Sequence, residues 1–169
     1  MDYSQDYYKG GAGFYFSRII NTIIDFGDLK NERGVILDFG CGVGHLKKAV
    51  GSSVVGYDII PELSDVTDYR TLKPAVIVCN NILEHFDLGG VKKLMADFKK
   101  MNPKAKLVTA IPTENWLSRI GMFASRQREA HADHKSKLKD INTILHSYCT
   151  LHKRKRLFTL SEICLWIFK

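Results

Sequence analysis

Apolar positions recur along this chain at two different spacings. Within residues 13–26, Phe14, Phe16, Ile19, Ile20, Ile23 and Ile24 fall at helical intervals, which predicts an amphipathic helix with one buried face. Short continuous apolar runs then take over at Val35-Ile36-Leu37-Asp38, Val54-Val55-Gly56-Tyr57-Asp58, Ala75–Cys79 and Leu107–Ile111. Runs of this length without alternation predict strands covered on both faces. Residues 64–69 are expected to add a short third strand. Between the strands, His45–Val50 reads as a helix closed by Gly51, and residues 90–101 place Val91, Leu94, Met95, Phe98 and Met101 on one helical face before Asn102-Pro103 stops it. Residues 113–147 are expected to be helical, with Ile141, Ile144 and Leu145 facing inward. Thr150-Leu151 and Ile163–Phe168 read as two closing strands, with Lys153–Arg156 as the solvated tip of their hairpin. Alternating strands and helices predict an α/β sheet covered on both faces.

Composition narrows the setting. A chain of 169 residues with 45 % hydrophobic content can fill one core and has little room for a second. No apolar run approaches the ~18 residues of a membrane span. The opening Met1-Asp2-Tyr3 does not read as a signal peptide. Cys41, Cys79, Cys149 and Cys164 are scattered among apolar or glycine neighbours, so reduced core thiols in the cytoplasm are expected and a zinc site is not. Charge is uneven. Residues 1–84 carry 8 Lys/Arg against 11 Asp/Glu (net −3), whereas residues 85–169 carry 17 against 7 (net +10). A basic second half suits an anionic acceptor, a nucleic acid or a lipid surface.

The stretch that carries chemistry is Asp38-Phe39-Gly40-Cys41-Gly42-Val43-Gly44, between a strand and a helix. A doubly wound sheet holds its ligand at such a turn. The glycines permit a tight turn and close approach to a ligand, and the next helix offers unpaired N–H groups to a carboxylate. Asp58 ends the following strand, where its carboxylate can accept from two ribose hydroxyls. The dinucleotide fingerprint fails, because the sixth position is His45 counted from Gly40 and Lys47 counted from Gly42. This weakens an NAD-dependent oxidoreductase reading.

The D-x-G-x-G-x-G pattern instead resembles the first motif of class I S-adenosylmethionine (SAM)-dependent methyltransferases. Val55–Asp58 resembles that family's second strand with its ribose-binding acid. Ser64-Asp65-Val66 resembles the segment that meets the adenine, and Asn80-Asn81-Ile82-Leu83-Glu84-His85-Phe86 the exit from its fourth strand. His131-Ala132-Asp133-His134 is similar to a segment that small-molecule members carry before their sixth strand. The resemblance spans about residues 33–169. It implies a mostly parallel seven-stranded sheet with helices on both faces and an antiparallel C-terminal strand. It divides the single domain 1–169 into an N-terminal helical or lid segment (1–32), a cofactor-binding half (33–111) and a substrate-side half (112–169). Its implied cofactor contacts are Asp38, Gly40, Cys41, Gly42, Gly44, Asp58, Ile59, Asp65, Val66, Asn80 and Asn81. Two departures stand out. Only residues 59–74 lie between Asp58 and the next long strand, where the family has a helix and a strand. The strand exit also lacks the (D/N)PP(Y/F) signature of amide and adenine amino methylation.

Methyl transfer from a sulfonium is an in-line displacement, so holding the acceptor in line is the main task. A base helps where the acceptor carries a proton, and imidazole suits neutral pH. His85 is the first candidate, with His131 and His134 behind it. Tyr3, Tyr7 and Tyr8 could form an aromatic lid, and Trp116, Met122 and Phe123 a substrate cap. The expected activity is methylation of a small acceptor, for which the basic second half would suit an anion. The alternatives are an RNA or other macromolecular acceptor, and a non-catalytic SAM-binding module. The sequence leaves the oligomeric state open.

Overall fold

The structure is a computed structural model that describes residues 10–113 and 135–169. Its elements, in chain order, are α1 (Gly10–Gly27), β1 (Ile36–Phe39), α2 (His45–Val50), β2 (Val54–Tyr57), β3 (Val76–Asn80), α3 (Leu88–Met101), β4 (Lys106–Pro112), α4 (Leu138–Tyr148), β5 (Cys149–Leu157) and β6 (Ser161–Phe168). They build one six-stranded sheet in the order β2-β1-β3-β4-β6-β5. The pairs β1–β2, β1–β3 and β3–β4 are parallel, and β6 runs antiparallel between β4 and β5.

The central strands are apolar throughout because both faces are covered. Ile36, Val76, Val78, Val108 and Ala110 meet Ile19, Ile20, Ile23 and Ile24 of α1 on one face. On the other face Leu37, Phe39, Ile77 and Leu107 meet α3 and α4 through Val91, Met95, Phe98, Ile141 and Leu145. Helix α3 starts where the Asp87 carboxylate accepts from Gly90 N–H at 2.6 Å and ends at Asn102, whose Nδ2 donates to Pro74 O at 2.8 Å. Buried Trp166 Nε1–H donates to Thr109 Oγ1 at 3.0 Å, joining β6 to β4.

The expected third strand does not form, and among the described residues the sheet has six strands rather than seven. Residues 59–74 instead hold two 3₁₀ turns, Pro61–Leu63 and Tyr69–Thr71. One residue between the turns takes over the hydrogen bonds of the missing strand. Asp65 N–H donates to Gly56 O at 2.9 Å, and Asp65 Oδ2 accepts from Gly56 N–H at 2.7 Å. Sixteen residues are too few for a crossover helix and a paired strand, so a side chain caps the edge instead.

The closing hairpin also departs from expectation. Lys153–Arg156 lie within β5, and the tip is Phe158-Thr159. Arg154 and Arg156 turn toward α4, where buried Glu162 accepts from Arg154 Nη2 at 2.6 Å, Arg156 Nε at 3.0 Å and Asn142 Nδ2 at 2.8 Å. Burial alone would raise the Glu162 pKa, but these hydrogen bonds outweigh it and hold the carboxyl low. The helix expected over 113–147 is seen as α4, and residues 114–134 lie outside the described residues. Among the described residues no helix is long and apolar enough to cross a membrane.

Candidate active site

Strand order reverses between β1 and β3, so their C-terminal ends open a crevice with no strand crossing it. The glycine turn leaves β1 into this crevice. Gly40, Gly42 and Gly44 have φ of +78°, +48° and +73°, a region that side chains disfavour. Gly40 N–H and Cys41 N–H donate to Tyr57 O at 2.8 and 3.1 Å, tying the turn to β2. A Cβ on Gly40 would lie 2.6 Å from Ile82 Cγ1, whereas one on Gly42 would meet nothing within 4 Å. Gly40 is thus glycine for packing, and Gly42 leaves open space beside the turn.

Asp58 stands opposite. Its Oδ2 accepts from Gly42 N–H at 2.9 Å and its Oδ1 from Ile60 N–H at 3.0 Å. A carboxylate has about four lone-pair sites, so two remain for a ligand. Ile59, beside it, is 89 % exposed. Asp65 lines the hollow beside the turn together with Gly42, Gly44 and Lys47. Besides Gly56, its carboxylate holds Lys47 Nζ at 2.8 Å, and the Lys47 and Gly56 hydrogen bonds keep its pKa low. Val66 O accepts from Ser64 Oγ at 2.7 Å. Cys41 is half-buried, with Sγ 3.3 Å from Leu63 O, and burial pushes its thiol up to about 12, which leaves it a packing residue rather than a nucleophile.

The β3 exit forms the other wall. Asn81 takes φ +50°, and its N–H donates to Ala110 O at 2.9 Å. The Oδ1 atoms of Asn80 and Asn81 and Oε2 of Glu84 are buried without a hydrogen-bond partner. Among the described residues, the two asparagine oxygens at this exit are acceptors to which no donor is bonded, and such buried groups call for one. His85 closes the 3₁₀ turn Leu83–His85 and is half-buried at the same exit. His131 and His134, the aromatic lid at Tyr3, Tyr7 and Tyr8, and the cap at Trp116, Met122 and Phe123 lie outside the described residues.

Two buried carboxyls hold protons into the neutral range. Burial, and then the charge of Asp58, push Asp38 up to about 7, and burial pushes Glu84 up to about 7. Glu84 belongs to the Asn80–Phe86 motif with no role of its own expected from the sequence, yet it is 2 % exposed. Its only sequence signal is its place between Leu83 and the histidine. A raised acid pKa means that the native state binds more protons than the unfolded chain between the ordinary carboxylate range and pH 7. Stability is therefore greatest at low pH within that window and falls as pH rises through it. Glu84→Gln removes this contribution. Its stability relative to wild type is expected to rise by about 2–3 kcal/mol from pH 5 to pH 8, read from urea unfolding at the two pH values.

The sequence matches a family model described as a methyltransferase domain over residues 12–161. The chain belongs to the methyltransferase-domain family. With that membership come the class I α/β fold, methyl transfer as the activity and SAM as the methyl donor. No match was found among curated proteins. Solved structures share the fold at low identity. Magnesium protoporphyrin IX methyltransferase (ChlM) from Synechocystis PCC 6803 with bound S-adenosylhomocysteine (SAH) is 16 % identical with a TM-score of 0.60, covering 90 % of this chain and 81 % of that one. The N-methyltransferase NodS from Bradyrhizobium japonicum WM9 with SAH is 14 % identical with a TM-score of 0.68, covering 91 % and 87 %. A SAM-dependent methyltransferase from Archaeoglobus fulgidus is 14 % identical with a TM-score of 0.61, covering 89 % and 93 %.

This methyltransferase offers what its donor needs. SAM carries an ammonium and two ribose hydroxyls as donors, which match in chemistry the donor-less Asn80 and Asn81 oxygens and the spare lone pairs of Asp58. The open space at Gly42 lets backbone approach a ligand where a side chain would intrude.

Proposed function

We propose that this methyltransferase transfers the SAM methyl group to a small, anionic acceptor in the cytoplasm. The observation that carries the reading is the meeting of the glycine turn, Asp58 and the partnerless Asn80 and Asn81 oxygens at the strand-order reversal. In this reading Asp58 orients the ribose, and Gly40, Cys41, Gly42 and Gly44 line the methionine end. Asn80 and Asn81 accept from the ammonium. Asp38 sits under the turn and holds its shape, with Ile59, Asp65 and Val66 on the adenine side. The bound donor supplies an electrophilic methyl group, and the chain's residues supply alignment. His85 takes the acceptor's proton. A small acceptor is supported by ChlM, whose name gives magnesium protoporphyrin IX as its acceptor. An anionic one is supported by the net charge of +10 over residues 85–169.

Calorimetric titration with SAM and SAH tests the cofactor half, and absence of binding by folded protein would overturn it. Labelled methyl transfer to a panel of anionic metabolites, with RNA as competitor, tests the acceptor half. Transfer to RNA alone would favour the macromolecular reading. His85→Ala is expected to lower kcat about a hundredfold while leaving SAH affinity within about twofold. The loss should shrink above neutral pH as the acceptor ionises unaided.

A further inference from the structure

We infer that the face formed by α1 and the β5–β6 turn is a docking surface for an anionic lipid bilayer. Two large aromatic residues stand out from it, Phe14 at 61 % and Phe158 at 55 % exposure. Their ring centroids are 6.4 Å apart, and Tyr15 lies 6.3 Å from Phe158, so the rings form one apolar tip. Cations run along the same face, with Arg18 at the tip and Lys153 toward the far end of α1. The Arg18 guanidinium lies 5.7 Å from the Phe14 ring, and Lys153 Nζ lies 5.8 Å from the Phe26 ring of α1. Lys155 shares the face of Lys153, because it sits two residues further along β5 and its register partner Ile163 packs beneath α1. Arg18, Lys153 and Lys155 are all exposed, and residues 149–161 contain no acid. An aromatic tip flanked by Lys and Arg is the pattern of a protein that seats in the headgroup layer of an anionic membrane.

The backbone of the tip gives an independent indication. Leu160 N–H donates to Leu157 O at 2.9 Å, closing a two-residue hairpin turn with Phe158 at φ +50° and Thr159 at φ +59°. Such turns favour Asn and Gly, and a phenylalanine followed by a β-branched residue is disfavoured there. The turn is fastened from below. Thr113 N–H donates to Leu160 O at 2.8 Å, Thr113 Oγ1 donates to Thr159 O, and the Tyr15 hydroxyl bonds Ser161 Oγ at 2.5 Å. The protein thus holds an apolar ring outward where a polar residue would suit the fold better, and strain of this kind accompanies function. A nucleic-acid partner fits less well, since bases need rings laid open as stacking platforms, and Phe14 and Phe158 are tilted 51° against one another on a convex tip.

The turn lies at the C-terminal end of β4, where Pro112 pairs with Ser161, and parallel β1 delivers the glycine turn at that same end of the sheet. Docking therefore brings the crevice mouth toward the bilayer, where an anionic amphiphile could reach it. Only this last step rests on the proposed methyl transfer.

The test is co-sedimentation of the full chain with phosphatidylcholine vesicles, with and without about one-third phosphatidylserine, at low and high salt. Wild type is expected to sediment with the anionic vesicles only, and less at high salt. A Lys153→Gln, Lys155→Gln double variant is expected to lose roughly 25-fold in partitioning, about fivefold per cation. Phe158→Asn is expected to weaken binding while raising Tm, an outcome that damage to the fold cannot imitate. Melting curves and SAH titration of each variant establish that it is folded. Wild type that ignores anionic vesicles overturns the proposal, as do variants that sediment like wild type. Salt-dependent binding of single-stranded RNA without vesicle binding also overturns it, in favour of a nucleic-acid face. Loss of SAH binding with vesicle binding intact would count against the methyl-transfer reading and leave this surface standing.

Discussion

Asp58→Ala is expected to weaken SAH binding by two to three orders of magnitude while costing the fold about 1 kcal/mol. The free carboxylate already accepts from Gly42 and Ile60 N–H groups and has lone pairs to spare for two hydroxyls. Hydrogen bonds to a charged group each contribute about 1.5–3 kcal/mol, and losing two near the lower end of that range removes about 3–4 kcal/mol, or two to three decades in Kd. The alanine also releases Gly42 N–H, but that group lies beside open space, so water can replace the acceptor. Asp58→Asn keeps one acceptor oxygen and should lose only about tenfold. Calorimetry on the three proteins gives the ranking. An alanine variant that binds like wild type would move the ribose away from Asp58.

Gly40→Val is expected to abolish SAH binding and to destabilise the protein by about 2–5 kcal/mol. The first Cβ atom would already lie 2.6 Å from Ile82 Cγ1, and the φ of +78° is one that a β-branched residue strongly disfavours. Overpacking costs about 1–3 kcal/mol, and left-handed backbone adds about 1–2. Relief would have to come from Ile82, which leads into Leu83 and Glu84, so the β3 wall would move with the turn. Gly42→Ala separates the two effects. Its Cβ meets nothing, so it should cost only about 1 kcal/mol of stability yet still impair binding through the space it fills. Urea unfolding and SAH titration on both variants test this. A Gly40→Val protein as stable as wild type would mean that Ile82 yields freely.

Much of the parallel part of the sheet and its glycine turn was legible in the sequence, for reasons that can be stated by residue. Ile36–Phe39 and Val76–Asn80 lie between helices, so their apolar runs are unbroken and their identity as strands is plain. Gly40, Gly42 and Gly44 all adopt positive φ, the one property that glycine announces unambiguously. Asp58 follows β2 directly, so its place opposite the turn comes from strand geometry. What escaped notice depends on contacts remote in sequence. Glu84 is buried partly because Lys135 and Ser136 N–H groups reach over to its carbonyl at 2.8 and 3.3 Å, some fifty residues away. Lys153–Arg156 looked like a solvated tip, because nothing local reveals that Arg154 and Arg156 converge on Glu162. Residues 64–69 carry only Val66, Thr67 and Tyr69 in favour of a strand, and the segment lacks the length of chain needed to reach the sheet.

That absent strand bears on how the protein behaves beside other copies of itself. A sheet that ends early exposes the backbone of its last strand, which can template pairing with a neighbouring molecule. Here the outer side of β2 is largely spoken for. Val54 N–H is bonded to Gly51 O at 3.2 Å, and both polar groups of Gly56 are occupied by Asp65. The Lys47–Asp65 ion pair then sets charge across the same edge. An incoming strand would have to displace a charged, doubly bonded residue from the middle of a four-residue strand before its own ladder could begin. One aspartate therefore does the work of a shield, keeping a truncated sheet from growing by aggregation.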